Sequence, residues 1–377
     1  MAISLFSFFS GAGLLDLGFE YSNLDFNIVF VNEYNASFLN AYIYSRLHHN
    51  MKRPIYGYHC GDINELLVPI NSKVLQKYIQ EQRALKNIVG FIGGPPCPDF
   101  SVGGKNLGKY GENGILAQRF VELIIAQQPN FFLFENVRGL VKTAKHLEYY
   151  NELKQALLNA GYIISDTILN SLSFGVPQDR DRVFMIGVLK NNFIKRIPLL
   201  DSDTLDFPWL KFAVFDSDVI KKLPWPSIQP YKENSKRIFR YPVPKELTVE
   251  YWFKKNKVYK HPNSKDVFQV KSGRAKMMQI PEGDTSRKSY KRLHRWRYSP
   301  TAAYGNNEVH LHPYKTRRLS VAEAMAIQSL PEWFCLPENM SLTHKFKVIG
   351  NGVPYLMSLG IAKSINEFIN TYLRGGS

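Results

Sequence analysis

Short apolar runs recur through the first half of the chain, separated by longer mixed segments. Four of these runs have the length of strands: residues 5–9, 28–32, 88–92 and 131–135. The segments between them are long enough to be crossover helices, so the pattern predicts an α/β domain with parallel strands. A further apolar run, at 183–189, ends this region.

The pattern then changes. From 190 to about 313 the chain has no clear period and is rich in Pro, Lys, Tyr and Trp. Helical periodicity returns at 320–329, which opens on a capping-box pattern, and again at 354–373. We therefore predict three parts: a first domain at 1–189, a smaller irregular domain at 190–315, and a returning segment at 316–377.

The net charge of +16 is concentrated in one part of the chain. Residues 190–318 contain 28 Lys and Arg against 12 Asp and Glu, whereas the remaining residues contain 20 of each sign. Within this segment, residues 291–298 alternate cations with aromatic side chains, a mixture suited to phosphate contact and base stacking. A scattered excess would indicate only surface solubility, but a localised excess favours a nucleic-acid partner.

The cysteines indicate a reducing environment. There are three, Cys60, Cys97 and Cys335, with no metal-ligand spacing, which argues against a disulfide framework and a structural zinc site. The apolar opening of the chain lacks a basic leader and soon reaches Asp16 and Glu20. We expect no export signal, no membrane span, no metal and a cytoplasmic location.

Cys97 follows the predicted strand at 88–92 in a loop stiffened by three prolines. Ligands collect at the carboxyl ends of parallel strands, so a thiol in this place has the position of a nucleophile. On residue type alone, a small buried hydrophobe is the favoured alternative.

Three features at other predicted strand ends describe a nucleoside pocket. A glycine-bearing turn at 10–18 follows the first strand, Glu33 ends the second, and Asp62 follows in the sequence GlyAspIle. An acidic residue at Glu33 commonly accepts hydrogen bonds from ribose hydroxyls, and Asp62 would face an adenine amino group. Taken singly, the alternatives are a tight turn and two surface carboxylates.

Eight motifs then stand in the order found in C5 DNA (cytosine-5) methyltransferases of the bacterial restriction-modification type, and the chain resembles that family. The matching blocks are residues 9–13, 32–33, 61–63, 95–97, 135–137, 178–182, 317–328 and 350–353. The resemblance implies a Rossmann-like, S-adenosylmethionine-dependent catalytic domain at 1–189, completed by 316–377. It also implies that the helical segment at 354–373 takes the place of the helix that usually covers the first strand, so that the chain ends meet. It also implies an irregular target-recognition domain at 190–315, the segment that carries the charge excess.

The resemblance implies specific roles for four residues. Cys97 would attack carbon 6 of cytosine to activate carbon 5, Glu135 would act at nitrogen 3, Arg182 would hold oxygen 2, and Arg180 would support the site. By themselves, the two arginines could equally form a solvated turn paired with surface aspartates. The implied contacts of S-adenosylmethionine are Phe9, Gly11, Gly13, Glu33, Tyr34, Asp62, Pro95, Leu116, Asn351 and Val353.

The target cytosine would have to leave the duplex to reach these groups. The glycine-rich stretch at 101–114 has the composition of a lid that closes over DNA, with a disordered surface loop as the alternative. Three residues depart from the family pattern, Ser7, Pro98 and Met325, and none of them is a reacting group. We expect activity to survive all three departures.

The expected partner is double-stranded DNA, with a cognate restriction endonuclease possible beside it and a monomeric enzyme. Two other functions stay open at this point: RNA methylation by the same chemistry, and an inactive nucleic-acid-binding homologue. A nicotinamide dehydrogenase would rest only on the first glycine turn, which lacks the full fingerprint.

Overall fold

The fold is taken from a computed structural model, which describes residues 2–20, 24–96, 112–190, 197–201, 203–269, 273–302, 304 and 308–373, with the side chains of 112 and 113 left aside. Cys97, Pro98 and residues 101–111 lie outside the described residues.

A seven-stranded sheet forms the centre of the molecule. Its strands in chain order are β1 (Ile3–Phe8), β2 (Phe26–Glu33), β3 (Tyr58–Cys60), β4 (Ile88–Gly93), β5 (Phe131–Val137), β6 (Tyr162–Asn170) and, beyond the two-residue β7 (Gln178–Asp179), β8 (Asp181–Leu189). The spatial order is β3-β2-β1-β4-β5-β8-β6. Neighbours from β3 to β5 are parallel, and β8 runs antiparallel between β5 and β6. The α/β class and the four predicted strands are confirmed, and the apolar run at 183–189 lies within β8.

Helices cover both faces of this sheet, which explains why its central strands are mostly apolar. One face packs against α3 (Ile63–Leu67), α4 (Pro69–Ala84), α5 (Glu112–Gln127) and α6 (Ala144–Asn159). The other face packs against α1 (Leu14–Glu20) and the C-terminal helix α12 (Tyr355–Tyr372). Helix α2 (Ala36–His48) packs against strands β2 and β3 at one side of the sheet.

The C-terminal helix lies over the first strand. Met357 and Ile361 of α12 share a buried cluster with Ile3 and Leu5 of β1. A Cβ placed on Gly18 of α1 would come within 2.2 Å of the Ser358 hydroxyl oxygen on α12. The two helices therefore touch at a glycine, and the predicted meeting of the chain ends is confirmed.

The second region is short of regular structure, as its sequence predicts. Its described part holds α7 (Ser217–Lys222), α8 (Val249–Lys255), α9 (Arg274–Met278) and the two-residue strands β9 (Lys291–Arg292), β10 (Ser299–Pro300) and β11 (His310–Leu311). Beyond it come α10 (Val321–Ile327), which shares a buried cluster with α8, and α11 (Leu342–Asn351). Helix α8 precedes residue 315 and helix α10 follows it. Because the two helices share one buried cluster, the packing continues across the predicted boundary at 315.

One expectation about this region is wrong. Arg292 and Arg295, in the stretch at 291–298, are buried rather than presented to a polyanion. Arg292 donates to the carbonyl oxygens of Met277 and His312, and Arg295 forms an ion pair with Glu282 at 2.7 Å. A guanidinium has five donors that can satisfy buried carbonyls, so an arginine beside aromatic residues can as easily belong to a core.

Candidate active site

The candidate residues meet because parallel strands end at one edge of the sheet. Strands β1, β2, β3, β4 and β5 all present their carboxyl ends there. The glycine turn follows β1, Glu33 ends β2, Gly94 follows β4 and Glu135 lies at the end of β5. The edge of the sheet therefore brings together both the predicted cofactor residues and the predicted catalytic carboxylate.

The loop between β1 and α1 has a conformation that needs glycine. Phe9, Gly11 and Gly13 have positive φ angles of 52°, 57° and 74°. A Cβ on Gly13 would lie 2.4 Å from both Arg46 and Tyr42 of α2, so a side chain at this position would be excluded. Small residues therefore allow this loop to lie directly against α2.

Glu33 ties the glycine loop to the end of β2. Its two carboxylate oxygens accept hydrogen bonds from the amides of Gly11 and Asn35, each at 2.8 Å. Burial raises the pKa of Glu33, and the backbone donors oppose that shift. The amide of Tyr34 is a third backbone donor to this carboxylate. An ionised carboxylate has about four acceptor positions, so about one remains for a further donor.

The other predicted cofactor residues surround the same edge. Asp62 caps α3 by accepting from the amide of Asn64 at 2.8 Å, and the amide of Gly61 donates to the carbonyl of Glu33 at 3.2 Å. Tyr34 has 73% of its surface exposed beside this connection.

The remaining members come from three other parts of the chain. Leu116 on α5 is half-buried against the core that includes Phe9. Pro95 is buried behind β4, and Val353 is buried after α11, whose last residue, Asn351, is exposed. A Cβ on Gly11 would lie 3.7 Å from Val348 of α11, so the far end of the chain reaches the first loop.

The chain that leads into Cys97 contacts the end of β5. A Cβ on Gly94 would lie 2.6 Å from Oε2 of Glu135, so only glycine leaves room for that carboxylate. The side-chain amide of Asn136 donates to the carbonyl of Pro95 at 3.3 Å. Glu135 is thereby fixed beside the segment that continues into the cysteine.

Glu135 forms a buried ion pair with Arg182. The distance from Glu135 Oε1 to Arg182 Nε is 2.9 Å, and both side chains are about nine-tenths buried. Burial raises the pKa of Glu135, whereas the positive charges of Arg182 and Arg180 act in the opposite direction. Burial thus favours the protonated form of this carboxyl, which is the form that can donate a hydrogen bond.

Residues 178–182 alternate between the interior and the surface. Arg180 is 1% exposed and Arg182 is 8% exposed, so the alternative of a solvated turn is wrong. The intervening carboxylates, Asp179 and Asp181, both accept from the side-chain amide of Asn170, at 2.6 and 2.7 Å. These hydrogen bonds hold the backbone in the conformation that directs the side chains of Arg180 and Arg182 into the interior.

Arg180 holds other parts of the chain together. Its guanidinium donates to the carbonyls of Ala302, Gly350 and Gly352, and its Nε has no hydrogen-bond partner among the residues that the structure describes. It is placed to position the GlyAsnGly segment rather than to contact Glu135. Its predicted supporting role stays a prediction.

Several buried polar residues were missed from the sequence. Gln178 bonds to Gln328 at 3.1 Å, and Gln328 in turn donates to the carbonyl of Ile349. Ser7, one of the three departures from the family pattern, donates to Asp16 at 2.9 Å. Two sequence features could have indicated these residues: both glutamines lie in motifs, and Ser7 lies in an apolar run. A polar residue among buried positions needs a hydrogen-bond partner.

Two further findings concern metals and membranes. Within the described ranges, no group of three or more His, Cys, Asp or Glu residues could hold a metal ion. Nor does this part of the chain contain a helix that is both long and apolar enough to cross a membrane.

Comparison with known proteins identifies the family. The family model of C-5 cytosine-specific DNA methylases matches residues 3–367. The Type II methyltransferase M.NmeDI of Neisseria meningitidis serogroup C is 50% identical over 371 residues, which cover 98% of this chain and 84% of that protein. M.MthTI of Methanothermobacter thermautotrophicus is 28% identical, with coverage of 97% and 98%.

A solved structure has the same fold. It is a prophage-encoded E. coli protein assigned as a DNA modification methyltransferase, with a TM-score of 0.64, 21% identity and coverage of 98% of this chain and 100% of that one. The family and the fold together imply S-adenosylmethionine as the methyl donor. The chain therefore belongs to the C-5 cytosine-specific DNA methylase family and is a DNA (cytosine-5) methyltransferase of the Type II restriction-modification kind.

Proposed function

We propose that this enzyme methylates carbon 5 of a cytosine that is flipped out of double-stranded DNA, at a defined sequence and through a covalent bond to Cys97. The observation that carries the proposal is the buried Glu135–Arg182 pair, which lies against the segment that continues into Cys97. A carboxyl beside a guanidinium matches the polar edge of cytosine, which presents nitrogen 3 between an amino group and oxygen 2.

Each residue has a distinct part in this reaction. The Cys97 thiolate adds to carbon 6, and Glu135 in its protonated form donates to nitrogen 3 as electron density moves onto the ring. Arg182 holds oxygen 2. S-adenosylmethionine supplies an electrophilic methyl group for carbon 5. Loss of the carbon 5 proton to a base and expulsion of the Cys97 thiolate then restore the aromatic ring.

The residues at the sheet edge suit S-adenosylmethionine. Glu33 keeps an acceptor position for a ribose hydroxyl, and Gly11, whose added Cβ would meet only Val348 at 3.7 Å, places no side chain beside it. Asp62 and the exposed ring of Tyr34 would serve the adenine. The remaining predicted contacts would complete the pocket: Phe9, Pro95, Leu116, Asn351 and Val353.

The second region supports DNA as the substrate even though two of its arginines are buried. Residues 236–260 contain eight Lys and Arg against two Asp and Glu. A cleft of about 680 Å³ in this stretch is lined by cations that include Arg237, Lys254 and Lys255, together with the aromatic rings of Tyr251 and Trp296. Such a lining provides phosphate contacts and stacking surfaces.

Several finer expectations complete the proposal. Residues 190–315 act as the target-recognition domain, between a catalytic domain at 1–189 and its completion at 316–377. The enzyme acts as a monomer in the cytoplasm, as the modification half of a restriction system with a cognate endonuclease. Base choice rests on side chains of the recognition domain that reach groove edges.

A mechanism-based trap tests the chemistry. DNA duplexes that contain 5-fluorocytosine should form an adduct stable to denaturation, because fluorine at carbon 5 cannot be removed as a proton and the thiolate stays attached. We expect the adduct with the wild type and none with Cys97→Ser. RNA carrying the same sequence is the substrate control. An adduct with RNA but not with DNA, or an adduct that persists in Cys97→Ser, would refute the proposal.

A further inference from the structure

A buried arginine on α2 is bonded to the glycine loop at two points. Arg46 is 2% exposed. Its Nη1 donates to the carbonyl of Ala12 at 2.7 Å, and its Nη2 donates to the carbonyl of Gly13 at 2.8 Å. These two carbonyls belong to consecutive residues of the loop that follows β1, so one planar guanidinium fixes the orientation of two neighbouring peptide groups.

The same guanidinium is held from its other side. Glu20, at the end of α1, accepts from Nη2 of Arg46 at 2.6 Å and from Nε at 3.1 Å. The ring of Tyr42, one turn earlier on α2, lies 3.7 Å from the guanidinium carbon. The ion pair and the ring leave Arg46 little freedom to turn away from the loop.

Tyr42 and Asp16 extend this network beneath the loop. The Tyr42 hydroxyl donates to Oδ2 of Asp16 at 3.0 Å, and the Ser7 hydroxyl donates to Oδ1 at 2.9 Å. Strand β1 and helices α1 and α2 are thus joined through buried side chains. Arg46 is the member of this network whose bonds reach the loop backbone itself.

The loop is also shaped to fit this arginine. Gly13 has a positive φ angle of 74°, and a Cβ there would lie 2.4 Å from Nη2 of Arg46. Gly11, two residues earlier, directs its amide to Glu33 at 2.8 Å. The carbonyls of Ala12 and Gly13 are therefore held by α2, while the amide of Gly11 is held by β2.

We propose that Arg46 is a positioning residue for S-adenosylmethionine binding, which it promotes by fixing the Ala12 and Gly13 carbonyls and so the shape of the glycine loop. The inference rests on the proposed use of this loop for the cofactor. A lysine could keep the charge opposite Glu20, but its single ammonium lacks the planar fork that reaches both carbonyls. Charge and positioning can therefore be separated by experiment.

Equilibrium binding of S-adenosylhomocysteine and of duplex DNA, measured by calorimetry and anisotropy, tests this inference. We expect Arg46→Lys to lower the affinity for S-adenosylhomocysteine by about tenfold, the scale of one missing charge-assisted hydrogen bond. The affinity for DNA should stay within about twofold of the wild type. The KM for S-adenosylmethionine should rise with little change in kcat.

Two matched variants separate positioning from general stability. Glu20→Gln removes the ion pair but leaves the carbonyl bonds, so it should lower the melting temperature without a comparable loss of nucleoside affinity. Arg83→Met removes an arginine that donates to the carbonyl of Gln128 on another part of the surface, and it should leave nucleoside affinity unchanged.

The outcomes discriminate between the claims. Wild-type nucleoside affinity in Arg46→Lys would overturn the inference, and so would failure of this variant to fold, since Arg46 would then serve the fold rather than the loop. An equal loss of affinity in Glu20→Gln would also overturn it. Absence of nucleoside binding in the wild type would instead refute the proposed use of the cofactor.

Discussion

Replacing Gly94 with alanine should displace the Glu135 carboxylate while leaving the sheet beneath it intact. The new Cβ would lie 2.6 Å from Oε2 of Glu135. Carbon–oxygen contacts settle at about 3.3 Å or more, so the carboxylate must move by about 0.7 Å. That movement strains the 2.9 Å contact between Glu135 and Arg182.

The expected effect is larger on the rate than on stability. A misplacement of about 1 Å at a reacting group can cost about a hundredfold in rate, so we expect kcat to fall by about 10- to 100-fold. The displaced group is the end of a side chain, so the free energy of unfolding should fall by only about 1 kcal/mol. Affinity for duplex DNA should stay close to that of the wild type.

The assay is steady-state transfer of a labelled methyl group to unmethylated DNA at saturating substrate concentrations, together with urea unfolding. Gly57→Ala is the control. Gly57 has a positive φ of 75°, but its added Cβ would meet no atom within 4 Å. The Gly57→Ala substitution should lower the free energy of unfolding by about 1 kcal/mol and leave kcat unchanged. A wild-type kcat in Gly94→Ala would refute the assignment of Glu135 to the reaction.

Three further predictions address stability and DNA binding. Burial raises the pKa of Asp16 to about 6, so the folded state holds a proton that the unfolded state releases. The free energy of unfolding should therefore fall by about 3 kcal/mol at most between pH 4 and pH 6, and Asp16→Asn should abolish this component in urea titrations. Gly18→Ala would place a Cβ 2.2 Å from the Ser358 hydroxyl and 2.5 Å from its backbone, and should cost about 3 kcal/mol in the same assay. Replacing Lys254 and Lys255 with glutamine should weaken DNA binding at all sequences. The slope of the logarithm of the binding constant against the logarithm of the salt concentration should fall by about 1 for each phosphate that is no longer neutralised. An unchanged slope would count against DNA binding in the basic cleft.

The sequence predicted the elements whose pattern is strong over several residues. Apolar strands such as Phe131–Val137 are buried on both faces, and the helix at Tyr355–Tyr372 has a sustained helical period. The strand Tyr58–Cys60 was missed because three residues of mixed polarity carry no period. Edge strands of this length are defined by their neighbour rather than by their own composition.

Burial of charged side chains was harder to predict. The family resemblance assigned Glu135 and Arg182 to one cytosine, and the two side chains form an ion pair at 2.9 Å, while their roles stay predictions. Arg46 was missed, since an arginine on a helix normally indicates a solvated face. Arg292 was assigned to nucleic acid for the same reason, although it is fully buried. Which cation enters a core depends on carbonyls supplied by distant segments, and no local pattern contains that information.

Bisulfite sequencing can establish whether Cys97 is the nucleophile, using DNA from cells that express either the wild type or Cys97→Ser in a host without cytosine methylation. We expect new 5-methylcytosine at one consistent sequence context with the wild type and none with Cys97→Ser. Absence of 5-methylcytosine with the folded wild type, or the same methylation with Cys97→Ser, would contradict this expectation.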